Sequence, residues 1–193
     1  MKIIFPLLAI SLFVNTCDNR GETGAETKAQ QELKKQRFFP VTAYLVGEIN
    51  NIKQAGVNPL KYTTINNHTD SVWLKVEELD TVLQEFLKPE IDSVNLITLF
   101  SEKSFLDQTI NAITLTYDPA GPLPDSFTLK HWDVYINPET GTVKTIYLLK
   151  ETDKNKILQL TWVSKKWCKI TSIVTDETGN SKVEKEEKIT WDF

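Results

Sequence analysis

From residue 110 to the C-terminus the chain is a succession of short β-branched and aromatic runs divided by turn chemistry, and that succession constrains the fold more than any other feature. The runs cover residues 112–117, 127–136, 142–149, 157–163 and 167–174, with a last one from 183 to 193. Runs of this length and spacing, with no helical period between them, predict consecutive antiparallel strands. Two connections share one logic: Asn137-Pro138-Glu139-Thr140-Gly141 and Asp176-Glu177-Thr178-Gly179-Asn180. In each, Asn or Asp starts a turn and a glycine supplies the positive φ that closes a hairpin, commonly with a bulge.

Side chains alternate between the two faces of a strand, so the runs also predict which face is dry. In the last run Val183, Ile189, Trp191 and Phe193 share one face, while Glu184, Glu186, Lys188, Thr190 and Asp192 share the other. The same division holds less cleanly for Leu158, Leu160 and Trp162, and for Thr145, Tyr147 and Leu149.

Upstream, the pattern is helical. A charged stretch over 30–39 leads to Pro40, after which Val41, Leu45, Ile49 and Ile52 recur at spacings of three and four and predict a stripe facing a core. Gly56 and Asn58-Pro59 end it. A second helix is predicted over 75–88, with Val76, Leu79, Val82, Leu83, Phe86 and Leu87 on one face, Glu77, Glu78, Asp80 and Glu85 on the other, and Pro89 as the stop. Between the helices, 62–66 and 71–74 suggest a short strand or hairpin with Asn67-His68-Thr69-Asp70 as its turn, and periodicity does not choose between helix and strand over 91–108. The expected fold is therefore α+β: two N-terminal amphipathic helices packed on an antiparallel up-and-down sheet of about five or six strands. The sheet is either curved and covered by the helices, or a half-barrel whose concave face keeps a cavity.

The first residues carry a different signal. Lys2 gives a minimal positive n-region, 3–14 form a mostly apolar run, and Cys17 follows Val14-Asn15-Thr16. The run is shorter than the roughly 20 residues a membrane span needs. It reads as a lipoprotein signal peptide over 1–16, with Cys17 as the lipidation site, 17–29 as a polar tether and 30–193 as a single α+β domain. An ordinary signal peptide cut nearby is the plainer alternative. Two or three acyl chains, at about 0.8 kcal/mol per buried methylene, make such an anchor effectively permanent. The expected location is the bacterial cell envelope, on the periplasmic face of the outer membrane.

Composition limits the function classes. Hydrophobic residues at 40% and charged residues at 25% are ordinary for a folded domain, and a formal net charge of −4 suits neither nucleic acid nor an anionic membrane surface. With Cys17 acylated, the second cysteine, Cys168, has no partner. Its place in Trp167-Cys168-Lys169-Ile170 reads as a small apolar residue in a sheet, because a reactive thiol needs an activating base or cation on its own face.

The sequence holds no Walker loop, dinucleotide fingerprint, nucleophile elbow, zinc-type cluster or calcium loop. Two His-x-Asp triplets, His68-Thr69-Asp70 and His131-Trp132-Asp133, invite a metal site or a base with its orienting carboxylate, since residues two apart on a strand share a face. Solvated surface pairs are the plainer reading, and no catalytic residue, metal or cofactor is assigned. Trp73, Trp132, Trp162, Trp167 and Trp191 suit either a core or a pocket wall. The candidate ligand-binding residues are Tyr147, Leu160, Trp162 and Trp191.

The leader, the helix Val41-Thr42-Ala43-Tyr44-Leu45-Val46-Gly47-Glu48-Ile49, the second helix before Pro89 and the Ile136-Asn137-Pro138-Glu139-Thr140-Gly141 hairpin together resemble uncharacterised small lipoproteins of Bacteroidota. The resemblance implies an envelope location and carries no activity. The expected function is a non-enzymatic, lipid-anchored envelope module that engages another protein. The alternative is a half-barrel that binds a lipid or small apolar ligand. Coverage of the apolar sheet face separates the two: a filled face favours the first, and a deep cavity the second.

Overall fold

In the computed structural model, which describes residues 37–192, the principal element is one nine-stranded antiparallel sheet. Its strands are β1 (Leu60–Ile65), β2 (His68–Trp73), β3 (Phe100–Asp107), β4 (Ala112–Pro119), β5 (Leu129–Ile136), β6 (Val143–Asp153), β7 (Lys156–Val163), β8 (Trp167–Thr175) and β9 (Ser181–Thr190). They lie in the order β2-β1-β9-β8-β7-β6-β5-β4-β3. From β3 to β9 this is a meander, each strand pairing with the next in sequence. The β1–β2 hairpin is added beside β9, where Leu60 pairs with Thr190 and Thr64 with Glu186.

Helices occupy one face only. Helix α1 (Val41–Ala55) buries Val41, Leu45, Ile49 and Ile52 and ends at Gly56, whose φ of 68° is the left-handed cap that glycine adopts without a Cβ clash. After β2, a 3₁₀ turn (Val76–Glu78) leads into two single-turn helices, α2 (Leu79–Val82) and α3 (Gln84–Leu87). The break between them is at Leu83, where ψ is 7°. This lets Leu79, Leu83 and Phe86 all reach the sheet, at 0%, 0% and 1% exposure.

The centre of the inner face they cover is closely packed. Trp132, Val134, Ile146, Leu148, Leu160, Trp162, Cys168 and Ile189 are each at most 2% exposed. Aromatic rings tie the layers together: Tyr117 stacks on Trp132 at 4.5 Å, Phe38 meets Tyr117 edge-on at 5.0 Å, and Phe86 meets Trp162 edge-on at 5.5 Å.

This architecture overturns the expected fold class. The sheet has nine strands rather than five or six, and the expected second long helix is split into single turns. Two causes account for the extra strands. Asn66 and Asn67 take φ of 51° and 64°, so they form the two-residue turn of a tight hairpin, and His68–Asp70 begins β2 instead of turning the chain. The undecided stretch resolves into β3, in continuous register with β4 from Phe100↔Pro119 to Asp107↔Ala112. The dry face expected for the last strand is also broken. A bulge sets Lys185 opposite Ser172 and Val183 opposite Ile173, with Glu184 as the extra residue. Ile189 is thereby buried and Val183 is 58% exposed. The leader expected over 1–16, the lipidation site expected at Cys17, the tether expected over 17–29, the first residues of the expected domain (30–36) and Phe193 lie outside the described residues.

Among the described residues, no helix is long and apolar enough to cross a membrane.

Candidate functional site

Strand alternation separates the residues expected to line a pocket. Leu160 and Trp162 point inward and are 0% exposed. Trp191, just past β9, is half-buried and tilts against Trp162 at 5.0 Å. Tyr147 pairs with Thr161, one position out of phase with the Leu148↔Leu160 and Ile146↔Trp162 pairs, and so stands on the opposite face.

That opposite, outer face carries a polar constellation centred on His131. His131, Asp133 and Tyr135 alternate outward along β5, and Thr116 and Asp118 do so along β4, with Thr116 directly across from Asp133. His131 Nδ1 lies 2.9 Å from Asp118 Oδ1, and Nε2 lies 3.1 Å from Asp133 Oδ2. Thr116 donates to Asp133 Oδ1 at 2.7 Å and Tyr135 donates to Asp133 Oδ2 at 3.1 Å. From β3, the Lys103 ammonium donates to Asp118 Oδ2 at 3.0 Å.

A carboxylate at each ring nitrogen favours the imidazolium form of His131. The hydrogen bond to Asp133 is the chief reason the His131 pKa is raised; burial opposes it and Asp118 reinforces it. Burial pushes Asp133 the other way, but the hydrogen bonds from His131 and Thr116 outweigh it and keep the carboxyl below its usual range. Lys103, then His131, holds Asp118 down as well. Tyr135 is pushed up to about 12 by burial and by the Asp133 charge.

The chemistry of this cluster is that of a clamp. An imidazolium with both N–H groups engaged has no lone pair for a metal ion or a proton. Among the described residues no group of three His, Cys, Asp or Glu side chains is arranged to hold a metal. The second triplet does not join the first. His68 and Asp70 lie on β2, 3.4 Å apart, with side chains 80% and 83% exposed. The sheet order places β2 six strand spacings from β5, about 29 Å at about 4.8 Å each. Cys168 faces the core at 1% exposure, and burial pushes its thiol far above the ordinary range.

Two features were missed in reading the sequence. Asp118 closes the clamp from a neighbouring strand. Its signal was the alternation Thr116-Tyr117-Asp118, which puts both polar residues on the face opposite the core tyrosine. The other is the edge strand β2, all six of whose residues are exposed. Val72 is 55% and Trp73 60% exposed there, beside Tyr62 and Ile65 of β1 at 37% and 47%. Comparison with family models, curated proteins and solved structures finds no match to this chain.

Proposed function

We propose that the protein is a non-enzymatic interaction module, held at an envelope membrane by lipid on Cys17, that engages an extended segment of a partner protein at the β2 edge. The observation that carries the reading is β2 itself. It is paired in unbroken register on one side, from Leu60↔Trp73 to Ile65↔His68, and every residue of it is exposed. Edge strands of this kind are normally shortened, charged or covered, because their outward N–H and C=O groups template pairing with another chain. Addition of a partner strand would complete those hydrogen bonds, with Val72 and Trp73 supplying apolar contact.

The packing at the centre of the inner face supports this reading over a half-barrel ligand binder, since Leu160 and Trp162 are 0% exposed and Phe86 lies edge-on against the Trp162 ring. The leader preceding Cys17, and the resemblance to small Bacteroidota lipoproteins, support the envelope location. A photo-crosslinker at Ser71 in the intact envelope should give a discrete adduct that disappears in Val72→Lys, a charge of the kind that blunts edges. An adduct pattern indifferent to that substitution refutes strand addition. Labelled palmitate should be incorporated by the natural chain and not by Cys17→Ser.

A further inference from the structure

Where helix α1 crosses the start of β6 and the β7–β8 turn, the chain leaves a hollow of about 650 Å³, within the roughly 300–1,000 Å³ usual for small-molecule sites. Two local irregularities create it. A register shift between Tyr135 and Ile136 makes Lys144 the extra residue opposite β5, and bulges of this kind re-aim side chains beside sites. The β7–β8 turn then takes Lys165 through a φ of 62°. Helix α1 forms the remaining wall: Tyr44 OH lies 2.7 Å from Ser164 Oγ, and the Lys165 backbone N–H donates to Glu48 Oε2 at 3.0 Å.

The lining is two-sided in character. Phe39, Tyr44, Val143 and Val163 supply apolar wall, while Lys144, Lys165 and Lys166 stand against the one carboxylate of Glu48. In a chain of net charge −4, this is a local excess of positive charge. Lys165 and Lys166 are exposed and have no carboxylate partner within 4.0 Å among the described residues. Lys144 donates only to the neutral carbonyls of Ile110 and Asn111, at 2.9 and 3.4 Å, so its charge is uncompensated too. A second, smaller hollow of about 240 Å³ adjoins the first through Glu48 and Lys165 and is walled by Ile52, Ala55 and Trp191.

We infer that this hollow is a binding site for a single-chain amphipathic anion, with the head group against Lys165 and Lys166 and the hydrocarbon along Phe39, Tyr44, Val143 and Val163. A carboxylate or a phosphate head meets the same requirement, so a free fatty acid and a lysophospholipid share the chemistry. The site is separate from the β2 edge, and its failure would leave the interaction reading untouched.

The test is titration of the purified full chain with laurate, lysophosphatidylglycerol and dodecanol, each below its micellar concentration, followed by calorimetry. Saturable one-to-one binding of at least one anion is expected, with dodecanol at least tenfold weaker. The stronger anion names the source of the ligand. The double variant Lys165→Asn/Lys166→Gln removes both charges and keeps at 165 a residue that tolerates positive φ. It should weaken binding at least tenfold with an unchanged melting temperature. Thr142→Trp, at an exposed position on the rim, fills the hollow without altering charge and should also abolish binding. Absence of saturable binding by either anion, equal binding of dodecanol, or binding indifferent to both variants overturns the inference.

Discussion

His131→Gln tests the charged clamp on the outer face. The substitution removes two charge-assisted contacts, to Asp118 at 2.9 Å and Asp133 at 3.1 Å, and leaves two carboxylates facing each other across β4 and β5 without a cation between them. Hydrogen bonds to charged groups contribute about 1.5–3 kcal/mol each. The Asp118 side chain is 38% exposed and Asp133 12%, so water replaces most of the first contact and little of the second. Asp133 also keeps its bonds from Thr116 and Tyr135. The expected loss is about 2 kcal/mol near pH 5.5, or about 4–8 °C in melting temperature for a domain of this size. The pH dependence discriminates further. Because the folded-state pKa of His131 is raised, its contribution is fully present below the unfolded value of about 6.5 and is lost as pH rises through the folded one. The depressed pKa values of Asp118 and Asp133 give the opposite limb, present above the usual carboxylate range and lost as pH falls. Urea unfolding followed by tryptophan fluorescence should therefore show the gap between natural and His131→Gln chains widest at pH 5–6 and much narrower at pH 9. A gap that stays constant with pH refutes an imidazolium clamp.

Three further outcomes follow from burial. Trp162→Ala deletes a 0% exposed ring packed on Phe86 and Trp191 and should destabilise by about 3–5 kcal/mol in the same assay. Cys168, 1% exposed with its thiol pKa pushed up by burial, should resist a thiol reagent at pH 8 in the folded chain and react at once in denaturant; rapid labelling of the native protein would show that β8 opens easily. Lys150 is 2% exposed and donates to both the carbonyl and, at 3.0 Å, the carboxylate of Glu85. Glu85→Gln should lower stability by about 1–2 kcal/mol, below the usual 3–5 for a fully buried pair because the Glu85 side chain is 44% exposed, whereas Lys150→Met should change it by less than about 1 kcal/mol.

How far the sequence disclosed this structure depended on the range of the interactions involved. The stripe Val41, Leu45, Ile49 and Ile52 and the turns around Gly141 and Gly179 rest on local periodicity and backbone freedom, and each of these residues stands in the structure as helix face or left-handed turn position. Strand number did not yield to the same reading. β2 alternates nothing, since both its faces are wet, and it exists because β1 lends it a register and β9 lends one to β1. The clamp was half legible: His131 and Asp133 share a strand face by spacing alone, whereas Asp118 reaches them only through the β4–β5 pairing. Tyr147 was grouped with Leu160 and Trp162 because each run alternates. Alternation gives relative faces within one strand, and the register between strands decides which of them meet.

If the protein engages a partner as proposed, the distribution of exposed apolar residues favours the margins of the sheet as its surface. Among strand residues, large hydrophobics are exposed on β1 and β2 (Tyr62, Ile65, Val72, Trp73), on β3 (Phe105, Leu106) and at the start of β9 (Val183), and none is exposed on β4 to β8. The central outer face is closed by its own side chains: Thr114, Asp133 and Thr171 are only 3%, 9% and 8% exposed there. Much of its charge is paired within the face, as the His131 clamp and the Lys169–Glu186 pair show, and a face whose charges are already paired offers a partner little that water does not. A partner would instead gain the unpaired backbone of an edge together with apolar contact. Both edges present that combination, and they differ in charge. Lys103 on β3 is drawn into the clamp by Asp118, whereas among the described residues no salt bridge runs from β2 across to β1, and His68 and Asp70 lie 3.4 Å apart within the strand. Strand addition at β2 therefore disturbs no existing salt bridge, while addition at β3 competes with the side chains that hold the clamp. Charge substitution at Val72 should accordingly abolish partner capture, and the same substitution at Phe105 should leave it intact.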